Sequence, residues 1–375
     1  IDGFARNIQE DYKNPNLLFL GTEKGLYITV DGGKNWSKFE NEMPAVAVHY
    51  IDLHPKTNDL VMATHGRGII ILDDISPLRQ VNQHILKKEV HFFDTKSFVI
   101  EEQSSFGGTA SELEFVGPNP NTSAQLVYYL KKRNTFGKMD LEIQDMKGNK
   151  IITLAPGNQK GINIVTWGFN TKNPKLATAK TLSYGGFTAP RVPAGTYKAV
   201  LTKGKETYVK EFQVVNDPKS VISEAERNKQ AETTKMLFDK NEELAYMVYE
   251  LDEMISLNQK IMEKDPKSAK TNGKIDSELN SLKNTMVVTT GDMYVGAAEP
   301  QLREKLSTIY ATVASQFDAP SPSQVSNIEN VMDKFNTAAS GFKDLKGKYK
   351  SKLMEQAAKL EIPFTLKTFE EFLKD

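Results

Sequence analysis

The chain contains no cysteine. Disulfides, iron–sulfur clusters, thiolate zinc sites and cysteine nucleophiles are excluded together. The compartment stays open, because a secreted protein can do without disulfides. An excess of one charge is missing too: 48 Lys and Arg balance 48 Asp and Glu. The basic surplus of a dedicated nucleic-acid binder is therefore absent, and no nucleic-acid partner is expected. No apolar run approaches the ~20 residues that span a bilayer, so no membrane span is expected. The opening Ile1-Asp2-Gly3 has neither Met nor a basic-then-apolar leader, which suggests a start removed by processing or truncation. What the chain does have is 375 residues, 39% of them apolar and 26% charged. That suffices for packed cores and sets a prior of about two to three domains.

A tandem repeat opens the chain. Ile8 falls on Ile51, an offset of 43 residues, and Leu17-Leu18-Phe19-Leu20 then falls on Leu60-Val61-Met62-Ala63 without a gap. Gly25-Leu26-Tyr27-Ile28 falls on Gly68-Ile69-Ile70-Ile71, and Asp31 on Asp74. Several short strands repeating at this spacing are the signature of β-propeller blades. The first repeat ends Thr29-Val30-Asp31-Gly32-Gly33-Lys34-Asn35-Trp36. Asp31 can accept backbone N–H bonds across a tight turn, Gly32 and Gly33 permit positive φ, and Trp36 can pack back under the hairpin. A structural role is expected for Asp31, Gly33 and Trp36 rather than an ion or ligand contact. The second repeat has lost this turn to Asp74-Ile75-Ser76-Pro77, but carries Thr64-His65-Gly66-Arg67-Gly68 followed by Leu72-Asp73-Asp74.

The Asp31–Trp36 run resembles the Asp-box of BNR (sialidase-type) repeats. The THGRG…LDD run is similar to the closing blade of bacterial sortilin-like (VPS10-like) BNR proteins. A closed ring needs roughly four to eight blades, so residues 1–100 are expected to be terminal blades that pack on upstream propeller blades. His65 and Arg67 are candidate contacts on a propeller face. The plainer expectations are a turn-stabilising hydrogen bond for His65 and a carboxylate partner, such as Asp73 or Asp74, for Arg67.

A linker rich in Gly, Ser, Pro and Asn occupies 101–122, including Gly107-Gly108 and Pro118-Asn119-Pro120. Alternating strands then predict an antiparallel β-sandwich over 123–216: Leu126–Leu130, Leu141 with Ile143, Ile151–Leu154, Ile162–Trp167, Tyr197 with Ala199 and Leu201, and Phe212 with Val214. Pro193-Ala194-Gly195-Thr196-Tyr197 and the strand ending at Trp167 resemble FlgD-like and fibronectin-like sandwiches. Such a domain implies a spacer or interaction module, with Trp167 in its core.

Residues 221–375 read as helices. Ser223-Glu224-Ala225-Glu226 fits a capping box. Apolar residues follow at Leu237, Leu244, Met247, Leu251, Met254 and Ile261, interrupted by Lys240 and Asn258. A second helix carries Ile275, Leu279, Leu282 and Met286 and ends at Thr289-Thr290-Gly291-Asp292. A third shows Leu302, Leu306, Ile309, Val313 and Phe317. A fourth, opened by Ser321-Pro322-Ser323-Gln324, shows Val325, Ile328, Met332, Phe335, Ala339, Phe342, Tyr349 and Leu353. An antiparallel four-helix bundle is expected. The fold class is thus multidomain, β plus α.

No motif supplies chemistry. The histidines, His49, His54, His65, His84 and His91, form no HExxH or other close ligand pair. There is no GxSxG, P-loop or GxGxxG, and adjacent Asp73 and Asp74 on a strand would point to opposite faces. No catalytic, cofactor or metal residue is assigned. The leading expectation is a non-catalytic binding or scaffold portion of a secreted, periplasmic or cell-surface sortilin-like protein. Its partner would be a protein, with carbohydrate left open. The Lys/Asn-rich composition and the resemblance imply a Bacteroidota host. An alternative is the accessory C-terminal region of a sialidase-like glycoside hydrolase whose active site lies in upstream blades. A third reading has the bundle cap a partner, with the propeller as anchor.

Overall fold

A computed structural model describes residues 1–102, 121–291 and 298–374. Most of the expected linker, with Gly107-Gly108 and Pro118-Asn119-Pro120, lies outside the described residues, as does Asp292. The chain is a mixed β and α protein that divides into two compact units. One comprises residues 1–101, 109–168 and 194–216, the other 102–108, 169–193 and 217–375.

The first unit opens with two small sheets. Strands β1 (Ala5–Glu10), β2 (Leu18–Thr22), β3 (Gly25–Thr29) and β4 (Ser37–Phe39) form one, in that order. Strands β5 (Val48–Leu53), β6 (Leu60–Thr64) and β7 (Ile69–Leu72) form the other. All neighbours are antiparallel. β1 and β5 are offset by 43 residues, and both carry a bulge at the same place, Ala5/Asn7 and Val48/Tyr50. β2 and β6 are offset by only 42, because the loop after β5 is one residue shorter than the loop after β1. The ungapped alignment is therefore corrected at this strand. A one-residue shift exchanges the two faces of a strand, so Phe19 corresponds to Val61 and not to Met62.

The second repeat has no counterpart of β4. With Pro77 in the first turn, where its missing N–H costs nothing, the chain turns into α1 (Ser76–Gln80) and then α2 (Gln83–Lys87). The Asn82 side chain caps α2 by accepting from the N–H groups of His84 and Ile85.

Two facing sheets complete this unit. One has the order β13 (Gly161–Trp167), β10 (Ala124–Leu130), β8 (Val90–Phe92). The other has the order β12 (Lys150–Leu154), β11 (Met139–Gln144), β14 (Gly195–Lys203), β15 (Glu206–Asn216), β9 (Phe98–Ile100). Every strand expected from the alternation is present. Two features differ from the expectation. β8 and β9 come from the stretch read as propeller, and β9 joins β15 in parallel. A parallel neighbour needs a long connection, which the chain between β9 and β15 supplies. Trp167 is buried between the sheets, edge-on to Tyr197 and Phe212. It is a core residue.

The second unit is built on α3 (Glu224–Lys264), α4 (Ala269–Met286), α5 (Leu302–Ser315) and α6 (Pro322–Lys359), with a short α7 (Phe369–Lys374). Both expected capping boxes form, Ser223 with Glu226 and Ser321 with Gln324. The six apolar residues expected along α3 are all buried. The Met247 and Met254 stripe is thus core. On α6 the expected Val325 is exposed, while Val331 and Ala338 are buried.

The helices form three rods rather than four. Lys240 lies over Phe335, Glu250 pairs with Lys346 at 2.6 Å, and Lys264 Nζ donates to the Leu360 carbonyl at 3.0 Å. α3 and α6 therefore run parallel. Gln230 Nε2 meets the Val313 carbonyl at 2.7 Å and Asn258 Nδ2 the Asn272 carbonyl at 2.9 Å. α4 and α5 thus follow one another in the opposite direction. Beside them lies an arm, residues 169–193, that interrupts the sandwich sequence between β13 and β14. Its Ala177 enters the helical core, Thr181 bonds Glu304 and Arg303, and the Thr188 carbonyl accepts from Tyr310 Oη at 2.7 Å.

Candidate functional site

The two repeats make a built interface, and its construction shows which surfaces remain open. Cross-strand pairing aligns Ile8, Leu20 and Tyr27 in one row of the first sheet. The equivalent row of the second sheet is Ile51, Met62 and Ile70. The neighbouring row Asn7, Gly21 and Leu26 has its equivalent in Tyr50, Ala63 and Ile69.

The first sheet presents Phe19, Leu26 and Ile28 to the second, which answers with Ile51, Met62 and Ile70. Unlike faces of the repeat thus meet, a head-to-tail contact. Gly21 is needed there: a Cβ at this position would lie 2.6 Å from the Val48 carbonyl oxygen. Asn7 Oδ1 also accepts from the Ile51 N–H at 3.1 Å. Outside this contact the equivalent positions differ: Leu20 and Tyr27, the counterparts of Met62 and Ile70, are buried as well, whereas others are open. Leu26 is 0% exposed but its counterpart Ile69 is 69% exposed, and Ile71 is 56% exposed. Ile51 is 1% exposed but its counterpart Ile8 is 55% exposed.

A polar clamp fastens the repeats at their hairpin loops. Arg79 Nε and Nη2 reach the Asp11 carboxylate at 2.7–3.0 Å, and Nη1 donates to Asn58 Oδ1 at 2.6 Å. Asp11 is completely buried, so the bidentate guanidinium is its compensation. Asp11 and Arg79 carry no recognisable motif, and sequence reasoning missed them.

Asp31, Gly33 and Trp36 come together in one turn. Asp31 Oδ1 accepts from Thr29 Oγ1 at 2.8 Å and from the Asn35 N–H at 2.9 Å, while Oδ2 accepts from Asn35 Nδ2 at 2.7 Å. Trp36 Nε1 donates to the Gly33 carbonyl at 3.0 Å. Gly33 has φ 89°, open to glycine at low cost. Asn35 and Thr29 hold the Asp31 carboxyl down to about 2. The same clasp recurs in the sandwich, where Asp145 accepts from the Asn149 N–H and Nδ2, both at 2.8 Å, across the Gly148 turn. Each oxygen of Asp31 is engaged in closing its turn.

His65 and Arg67 are both exposed in the β6–β7 hairpin. The bond expected of His65 is made by Thr64 instead, whose N–H and Oγ1 both reach the Gly68 carbonyl, at 3.0 and 2.7 Å. The His65 ring stacks on His49, with centroids 5.5 Å apart. Arg67 sits between Gly66 and Gly68, both at positive φ. Among the described residues it has no ion-pair partner, so the expected bridge to Asp73 or Asp74 is corrected. Asp74, at φ 41°, accepts from the Ser76 N–H and Oγ at 3.1 and 2.5 Å. Among the described residues no three His, Asp or Glu side chains gather to hold a metal ion. No helix among them is long and apolar enough to cross a membrane.

No family model and no curated protein matches the chain. Two solved structures from B. thetaiotaomicron resemble parts of it. One is the extracellular domain of a protein assigned as a one-component system, at 9% identity and a TM-score of 0.16, covering 58% of this chain and 25% of that one. The other is the extracellular domain of a protein assigned as a hybrid two-component system, at 10% identity and a TM-score of 0.17, covering 57% and 26%. The chain spans about a quarter of the length of these structures.

Proposed function

We propose that this chain is a non-catalytic binding region of a secreted or envelope-associated, sortilin-like propeller protein. In this reading residues 1–75 are two blades that pack between further blades of the same kind, and the sandwich and helices engage a protein partner. The open apolar positions of the repeats carry the reading. Leu26 and Ile51 are buried in the contact between the two repeats. Their counterparts Ile69 and Ile8 offer the same chemistry on the outer faces of the pair. A head-to-tail contact repeats until a ring closes or a different module caps it. The bulge at the same place in β1 and β5 supports a shared blade geometry, and the Asp31 turn fits the Asp-box role of bracing a blade.

The absence of native cysteine makes the test clean. Ile8→Cys and Ile69→Cys each introduce a unique thiol. In the 375-residue chain alone both are expected to react rapidly with a maleimide. In the protein purified with all its native segments and partners, both are expected to be protected at least tenfold. Equal reactivity in the two settings overturns the proposal. Recovery of a stoichiometric protein from envelope extract, lost when residues 217–375 are deleted, tests the partner role of the helices.

A further inference from the structure

Arg6 occupies the bulge of β1, and Glu23 follows β2 directly. Their side chains pair at 3.0 Å. The corresponding positions of the second repeat are the bulge of β5, occupied by His49, and the residue after β6, occupied by His65. An ion pair in one repeat is thus replaced by two imidazoles in the other. Their rings stack with centroids 5.5 Å apart and planes 16° apart. The backbone fixes their spacing, since the His65 N–H donates to the Ala47 carbonyl at 2.9 Å. Both residues are exposed, and among the described residues neither ring makes a hydrogen bond.

We propose that His49 and His65 form a two-histidine site for a borderline divalent transition-metal ion, of the Zn2+ or Ni2+ type, at the hairpin end of the second sheet. Neutral imidazole is the commonest protein ligand for such ions. A donor set of nitrogens without carboxylates selects them over Mg2+ or Ca2+. Rotation of two exposed rings about their side-chain bonds turns one nitrogen of each toward a shared ion at about 2.0–2.1 Å. Two protein ligands leave coordination positions open for water or for a donor from a partner. The first repeat is an internal control: the same backbone positions hold Arg6, which cannot ligate. The site stands on side-chain placement within one repeat pair and does not depend on the blade reading.

Calorimetric titration of the whole chain with zinc chloride or nickel chloride at neutral pH is expected to show one ion bound per chain. His49→Ala and His65→Ala are each expected to weaken binding at least tenfold, with unchanged circular dichroism, whereas His54→Ala leaves it intact. Rebuilding the pair of the first repeat, His49→Arg with His65→Glu, is expected to abolish binding in a folded protein. No binding of either ion up to about 1 mM, or less than tenfold loss in either single alanine variant, overturns the site.

Discussion

Asp31 shows how a carboxylate beside two glycines can be read as a site and yet be occupied by its own turn. Its pKa is lowered from the ordinary carboxylate value to about 2, through the Asn35 side chain first, then the Asn35 N–H and the Thr29 hydroxyl. A carboxyl depressed in the fold contributes its full stabilisation above the unfolded value, and loses it as pH falls through the folded one. The turn should therefore hold at pH 5 and open progressively between about 4 and 2. The Asn35 amide resonance is expected to titrate with a midpoint near the lower limit. A midpoint at the ordinary carboxylate value would mean that the clasp does not exist in solution. Asp11 is the contrasting case, a buried carboxylate that pairs with Arg79 and accepts from the Lys13 and Asn14 N–H groups. Arg79→Met leaves it buried and unpaired, which costs about 3–5 kcal/mol. Urea unfolding of the β unit should show that loss, and adding Asp11→Asn should recover much of it. Equal losses in the single and double variants would contradict the clamp.

In the contact between the first two sheets, Gly21 sets how closely β2 approaches β5. The place a Cβ would take lies 2.6 Å from a backbone carbonyl, which cannot rotate away. Gly21→Ala is expected to force the sheets apart at a cost of about 1–3 kcal/mol. At Ala63, the equivalent position of the open face, substitution by Val should be nearly neutral in the chain alone. Thermal melts of the two variants check the contrast. Elements whose signals are local are readable in the sequence. Strand alternation gave β11 and β14, and the Ser223 and Ser321 boxes gave the starts of α3 and α6. α5 also starts at a capping box, but with Gln301 at the cap. Glutamine is outside the usual N-cap set, so nothing marked it. β9 was not readable as a parallel strand, because its partner β15 is remote in sequence and pairing leaves no local trace. The His49–His65 pair was hidden for the same reason. The bulge of β5 places His49 beside the end of β6, and a bulge does not show in spacing along the chain.

Across the molecule, apolar side chains are covered in the helical core and exposed on one face of the repeats. The helical unit closes its own core: α3, α4 and α6 share a polar layer in which Asn258 bonds Asn272 and Asn272 bonds Gln356, and Glu250 is buried against Lys346. The arm at 169–193 fills the flank of α5. The repeats leave theirs open, with Tyr50, Ile69 and Ile71 all more than half exposed on one face. On the proposed reading this face is where a further repeat packs. Context then decides the effect of a substitution. In the 375-residue chain alone, Ile69→Asp should change stability by no more than about 0.5 kcal/mol, as surface changes do. Leu26→Ala, at the buried equivalent, should cost about 2–5 kcal/mol in the same chain. If further repeats pack on this face as proposed, Ile69→Asp should become as damaging as the core substitution in their presence, because it then places an unpaired charge in a packed contact. Melting temperatures of the two variants, measured in both settings, provide the comparison. If Ile69→Asp is silent in both, the open face is a solvent face, and the repeats are a finished pair.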